Sequence, residues 1–65
     1  RNGFSKNLKD LRKLCALSQA QLAERLSVTV KTLSHWETAY SEPSIQQILT
    51  IAEYFGITVD ELLKG

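Results

Sequence analysis

Four side chains between Val30 and His35 have the types and spacing to read the edge of a base pair. Val30, Lys31, Ser34 and His35 fall at i, i+1, i+4 and i+5, which on a short helix make one outward strip. Lys31 can donate to O6 and N7 of a guanine, and Val30 can pack on a thymine methyl. His35 can donate or accept, according to its tautomer. Thr29, Thr38, Tyr40, Ser41 and Ser44 flank the strip in the two adjoining loops. Hydroxyls and backbone N–H groups there can grip phosphate oxygens and fix a docking register without reading sequence. Lys6, Lys9 and Lys13 add longer-range attraction; they do not share one helical face, and Lys9 is the one assigned to phosphate. Catalysis by His35 has no support, because no nucleophile and orienting carboxylate can be assigned around it. With no glycine-rich phosphate loop, metal-ligand cluster or paired-carboxylate site, the chain does not read as an enzyme.

The strip needs a scaffold, and the stretch from Ser18 to Glu37 reads as one. Ser18 lies three residues before Gln21, a pairing in which each side chain satisfies the other's backbone N–H at a helix start. Leu22, Ala23 and Leu26 then share one face. After Val28, a second cap at Thr29 opens another helix, in which Leu33 and Trp36 point inward. The two short helices, 19–26 and 30–36, are joined by a tight turn. That arrangement presents its second helix to a DNA major groove.

The remaining segments are helical too. Phe4, Leu8, Leu11 and Cys15 are spaced for a first helix over 4–15, with Leu14 beside them and Cys15 as a small buried filler. Pro43 suits a helix entrance. Ser44 with Gln47 opens a fourth helix whose inner face is Ile45, Ile48, Leu49, Ile51, Ala52 and Phe55. Gly56 suits the left-handed residue that ends many helices. Thr58 with Glu61 opens a fifth, burying Val59, Leu62 and Leu63. β-branched residues do not alternate with polar ones, so no strand is expected. The expected fold is all-α, a compact five-helix bundle, with Trp36 in its core and its indole N–H partnered.

Sixty-five residues suit one domain, 1–65, near the lower size limit for an unstapled core. Arg1 to Gly3 read as a frayed end or a cloning remnant. One cysteine and one histidine exclude an intramolecular disulfide and a four-ligand zinc site. No cofactor, metal, membrane or small-molecule ligand is implied. With no signal peptide or long apolar run, the cytoplasm is the expected setting. Net charge is only +1, but residues 1–32 hold seven basic and two acidic side chains, and residues 33–65 hold one basic and five acidic. One half can face phosphates while the other faces away.

The chain resembles the lambda-repressor and Cro-like helix-turn-helix domains of the xenobiotic-response-element type. Ser18-Gln19, Leu22-Ala23, Val28, Leu33 and Trp36-Glu37 carry the resemblance. Asn7 to Leu14, Pro43-Ser44, Ile51 to Ile57 and Val59 to Leu63 extend it over about residues 4 to 64. It implies a lambda-repressor-like bundle whose helix-turn-helix spans 18–37. It also implies that Gln19 contacts a phosphate and braces the start of the recognition helix, and that Arg12 pairs with Glu37 as a structural tie. The family usually has glycine, which adopts left-handed angles cheaply, where this chain has Ala16, Ser27 and Ala39. Ser27 is expected to keep its turn at a strain cost of about 1 kcal/mol, and the three departures leave the exact turn geometry, and with it the aim of helix 30–36, open.

The function expected from this is sequence-specific binding of double-stranded DNA. The chain would serve as a transcriptional regulator, a repressor by preference, of bacterial, phage or mobile-element origin, associated with the nucleoid. A homodimer on a pseudo-palindromic operator is expected, with the exposed parts of Ile57, Val59 and Leu62 as one candidate dimer surface and a segment outside this sequence as the other. The alternative is a protein-interaction module, an antitoxin or antirepressor, to which the acidic second half is suited.

Overall fold

The computed structural model describes residues 2–65, so the frayed-end expectation for Arg1 lies outside the described residues. Five helices follow one another: α1 Phe4–Leu14, α2 Gln19–Leu26, α3 Val30–Glu37, α4 Ile45–Phe55 and α5 Val59–Leu63. Their starts are set by short polar side chains. Ser18, Ser44 and Thr58 form reciprocal capping boxes with Gln21, Gln47 and Glu61, and the Thr29 hydroxyl accepts from the Thr32 N–H. Each box satisfies two backbone donors that the helix itself leaves free.

The first four helices end alike. In each, the chain turns on a left-handed residue: Ala16, Ser27, Ala39 and Gly56, with φ of 57°, 59°, 62° and 69°. The next residue folds its N–H back onto a carbonyl five positions earlier: Leu17 to Arg12, Val28 to Ala23, Tyr40 to His35 and Ile57 to Ala52, at 2.9 to 3.1 Å. The left-handed residue's own N–H bonds three positions back. This double closure satisfies otherwise orphaned carbonyls. Three of the four turns therefore carry a Cβ in a conformation costing about 1–2 kcal/mol each for an L-residue; Ser27 keeps its turn as expected, and Ala16 and Ala39 do the same.

The centre of the core takes one side chain from each helix: Leu8, Leu22, Leu33, Ile51 and Leu62, all essentially inaccessible. Phe4, Ala23, Leu26, Trp36 and Ala52 surround them, and the Phe4 and Trp36 rings meet edge to face at 6.4 Å. Such a pairing suits the quadrupole of both rings.

Four apolar residues expected inside are outside. Leu14 is 82% exposed, Cys15 is exposed, and Ile45 and Leu49 are 79% and 49% exposed. Cys15 is the cap after α1 rather than its last turn, and Leu17, folded back by the turn at Ala16, packs on the core nearby. On α4 the buried stripe runs through Ile48, Ile51, Ala52 and Phe55, and Leu49 lies about 110° round the helix from its middle. Gly3 is not frayed: its N–H donates to the Leu63 carbonyl at 2.8 Å, and a Cβ there would collide with the Lys64 carbonyl oxygen. Asn7 fastens the same corner, donating to the carbonyls of Leu62 (2.9 Å), in the last turn of α5, and of Lys64 (2.7 Å), just past its end.

Candidate nucleic-acid interface

α3 is only eight residues long, too short to be stable alone. Leu33, 0% exposed, and Trp36, 3% exposed, anchor it from behind. With that face fixed, helical geometry turns Val30, Lys31, Ser34 and His35 away from the core. Val30 is 45% exposed, Lys31 is exposed, and Ser34 and His35 are half-buried. Lys31 makes no hydrogen bond or ion pair among the described residues, leaving its three N–H donors available. The strip inferred from spacing is therefore one surface in the folded chain.

The far end of α3 is tied down by charge. Glu37 is buried, 6% exposed, and its carboxylate accepts three hydrogen bonds. Arg12 donates to it from Nε (2.7 Å to Oε2) and Nη2 (3.1 Å to Oε1), and Gln19 donates from Nε2 (3.1 Å to Oε1). The remaining Arg12 nitrogen, Nη1, donates to the Leu17 carbonyl at 2.9 Å. The planar guanidinium fork allows this two-point grip, which a lysine could not make. Thus α1, the start of α2 and the end of α3 converge on one carboxylate, and the resemblance-based pairing of Arg12 with Glu37 is present.

Gln19 differs from expectation in one respect. Its side chain braces the end of α3, not the start. A buried carboxylate is costly unless hydrogen-bonded, and the Gln19 amide adds a third donor to the two from Arg12. The Gln19 backbone N–H, in the first turn of α2, has no intrahelical acceptor and stays available to an anion.

The hydroxyl residues flanking the strip divide into two sets. Thr29 donates to Thr32 Oγ1 at 2.9 Å, and Thr38 donates to the Ser34 carbonyl at 3.0 Å. Their hydroxyl protons are engaged in closing the two ends of α3. Ser44 accepts the Gln47 N–H at 3.2 Å and keeps its own proton free. Ser41 and Tyr40 are exposed in the loop after α3, Tyr40 by 78%, and the Tyr40 ring lies against His35 with centroids 4.6 Å apart. Lys9 is exposed on α1. Spacing alone did not indicate the Gln19–Glu37 bond or the His35–Tyr40 contact. A signal for the second existed: a left-handed turn at Ala39 brings residue 40 back beside residue 35.

The chain also matches known proteins. The helix-turn-helix family model matches residues 8–62. The HTH-type transcriptional activator BcrR of Enterococcus faecalis is 39% identical over 62 residues, which are 95% of this chain and 30% of BcrR. A crystal structure of a transcriptional regulator from Listeria innocua superposes with a TM-score of 0.91 at 32% identity, covering 97% of this chain and 59% of that one. The P22 c2 repressor, solved with a synthetic operator, superposes with a TM-score of 0.86 at 27% identity, covering 95% and 94%. The fold is also a segment of hydroxypropylphosphonic acid epoxidase from S. wedmorenis: TM-score 0.82 at 31% identity, covering 92% of this chain and 32% of the enzyme. The curated relatives are regulators rather than enzymes, and the chain spans 30% to 53% of their length. Among the described residues, no helix is long and apolar enough to cross a membrane.

Proposed function

This chain belongs to the helix-turn-helix family, and we propose that residues 1–65 act as one sequence-specific binding domain for double-stranded DNA in a transcriptional regulator. The observation that carries the reading is the strip on α3, exposed on one side and anchored by Leu33 and Trp36 on the other. α3 lies in the major groove, with α2 across the backbone. Val30, Lys31, Ser34 and His35 meet base edges. Gln19, Thr29, Thr38, Tyr40, Ser41, Ser44 and Lys9 line the phosphates; Gln19 and Thr29 do so through first-turn N–H groups at the helix starts, where the dipole also favours an anion.

One strip of four side chains covers only a few base pairs. A homodimer doubles the footprint and places two copies about one helical turn apart, roughly 34 Å, on a pseudo-palindromic site. Such a regulator works on the nucleoid, in the cytoplasm. Repression is the simpler outcome, because occupancy of a promoter suffices to block it. A reporter carrying the selected site upstream or across the promoter distinguishes repression from activation.

Selection of bound sequences from random duplex DNA, at low salt, tests the reading. A short motif with two-fold symmetry should be enriched. Lys31→Ala should relax preference at one position and cost about 1–3 kcal/mol there. Lys9→Ala should weaken all sequences evenly and lower the salt slope by about one unit. No enrichment at low salt would instead favour the protein-interaction module.

A further inference from the structure

The turn after α3 repeats the turns after α1, α2 and α4 but is put to a different use. This closure always brings the residue after the left-handed position beside the residue five places earlier. In the other three turns that residue is an aliphatic one, Leu17, Val28 or Ile57, packed against the core. After α3 it is Tyr40, which is 78% exposed and lies on His35 instead. The backbone fixes this register firmly. The His35 carbonyl accepts from the Tyr40 N–H (2.9 Å), the Ser41 N–H (3.3 Å) and the Thr38 hydroxyl (3.4 Å), while Ala39 N–H donates to the Trp36 carbonyl at 3.3 Å.

We propose that Tyr40 is a positioning residue: its ring holds the His35 imidazole in one orientation at the end of the strip, and so sets the base preference at the pair His35 faces. The inference rests on the DNA-binding reading above and reassigns Tyr40 within it, from a phosphate contact to a residue acting through His35. An imidazole on a helix surface has several χ1 rotamers and a two-fold χ2. Against a neighbouring ring, 46° from its plane, fewer of these remain, so less ordering is left for the moment of binding. The contact is made by the ring. The Tyr40 hydroxyl has no hydrogen-bond partner among the described residues, so phenylalanine can replace tyrosine here and alanine cannot.

Two measurements decide this. In NMR spectra of the free protein, the His35 ring protons should be displaced by the Tyr40 ring current. The displacement should persist in Tyr40→Phe and vanish in Tyr40→Ala. In duplex selection, Tyr40→Ala should relax preference at the same position as His35→Ala, by about fivefold or more, with the double variant no worse than either single one. Tyr40→Phe should keep the wild-type motif. Equal loss over all sequences in both Tyr40→Ala and Tyr40→Phe would mark a phosphate contact by the hydroxyl and overturn the proposal. So would His35 resonances indifferent to Tyr40. A wild-type chain that enriches no motif while its His35 displacement is intact would defeat the DNA reading, and the specificity role with it, leaving the ring contact standing.

Discussion

Arg12 and Glu37 are joined at two points, Nε to Oε2 at 2.7 Å and Nη2 to Oε1 at 3.1 Å, between side chains 12% and 1% exposed. The pair is enclosed by the Gln19 amide and the Leu17 carbonyl. Forming a buried pair from water gives little net stability, yet removing one partner strands the other charge.

Glu37→Ala should therefore cost about 3–5 kcal/mol. A chain of this size has on the order of 3–10 kcal/mol in total, so the variant should be largely unfolded near 37 °C. Glu42→Ala, at an exposed position, should change stability by less than about 0.5 kcal/mol. Urea denaturation compares the two, and equal midpoints would contradict the role given to Glu37.

The left-handed residues offer a stabilising prediction. Ala16→Gly, Ser27→Gly and Ala39→Gly each remove a Cβ from an unfavourable conformation. Glycine also loosens the unfolded chain, so the net gain should be about 0.5–1 kcal/mol per site. That is several degrees in melting temperature for so small a domain. Gly56→Ala is the converse control. No atom lies within 4 Å of a Cβ there, so its loss of about 1 kcal/mol comes from backbone angle alone.

Much of the fold could be read from the residues because its determinants are local. A capping box needs only two side chains three residues apart, and all three boxes formed where Ser18, Ser44 and Thr58 place them. Burial was harder to read. Periodicity locates the middle of an apolar stripe but not its width, so Ile45 and Leu49 were assigned to the core although only Ile48, Ile51, Ala52 and Phe55 reach it. The strip on α3 was legible because Leu33 and Trp36 fix which way the helix faces. The Gln19–Glu37 bond was not, since it depends on α2 packing its first residue beside a carboxylate oxygen that Arg12 already holds. The Asn7 contacts to the end of α5 join residues more than fifty positions apart, a distance that no local pattern encodes.

Cys15 gives a chemical check on the corrected end of α1. An exposed thiol should react with an aromatic disulfide reagent at nearly the same rate in the folded chain as in urea. Cys15→Ser should leave stability within about 0.5 kcal/mol. Strong protection in the folded state would restore the buried assignment.

The pair of Lys6 and Asp10, 2.7 Å apart on α1, is exposed. The hydrogen bond from Lys6 holds the Asp10 carboxyl below its ordinary value, with weaker help from the charges of Lys6, Lys13 and Lys9. A carboxyl depressed by folding adds stability above its unfolded value and loses it as pH falls through the folded one. In Lys6→Ala the Asp10 titration midpoint, followed by carboxyl NMR shifts, should rise. Added salt should weaken the effect in the parent protein, because solvent screens an exposed pair.

The contact between Gly3 and the Leu63 carbonyl makes this polypeptide nearly a closed loop. Whatever is fused to its front and whatever is fused to its back depart from one shared seam, stitched by Asn7. A unit built so can be set into a host chain like a bead with a single knot, its neighbours leaving together without pulling the helices apart.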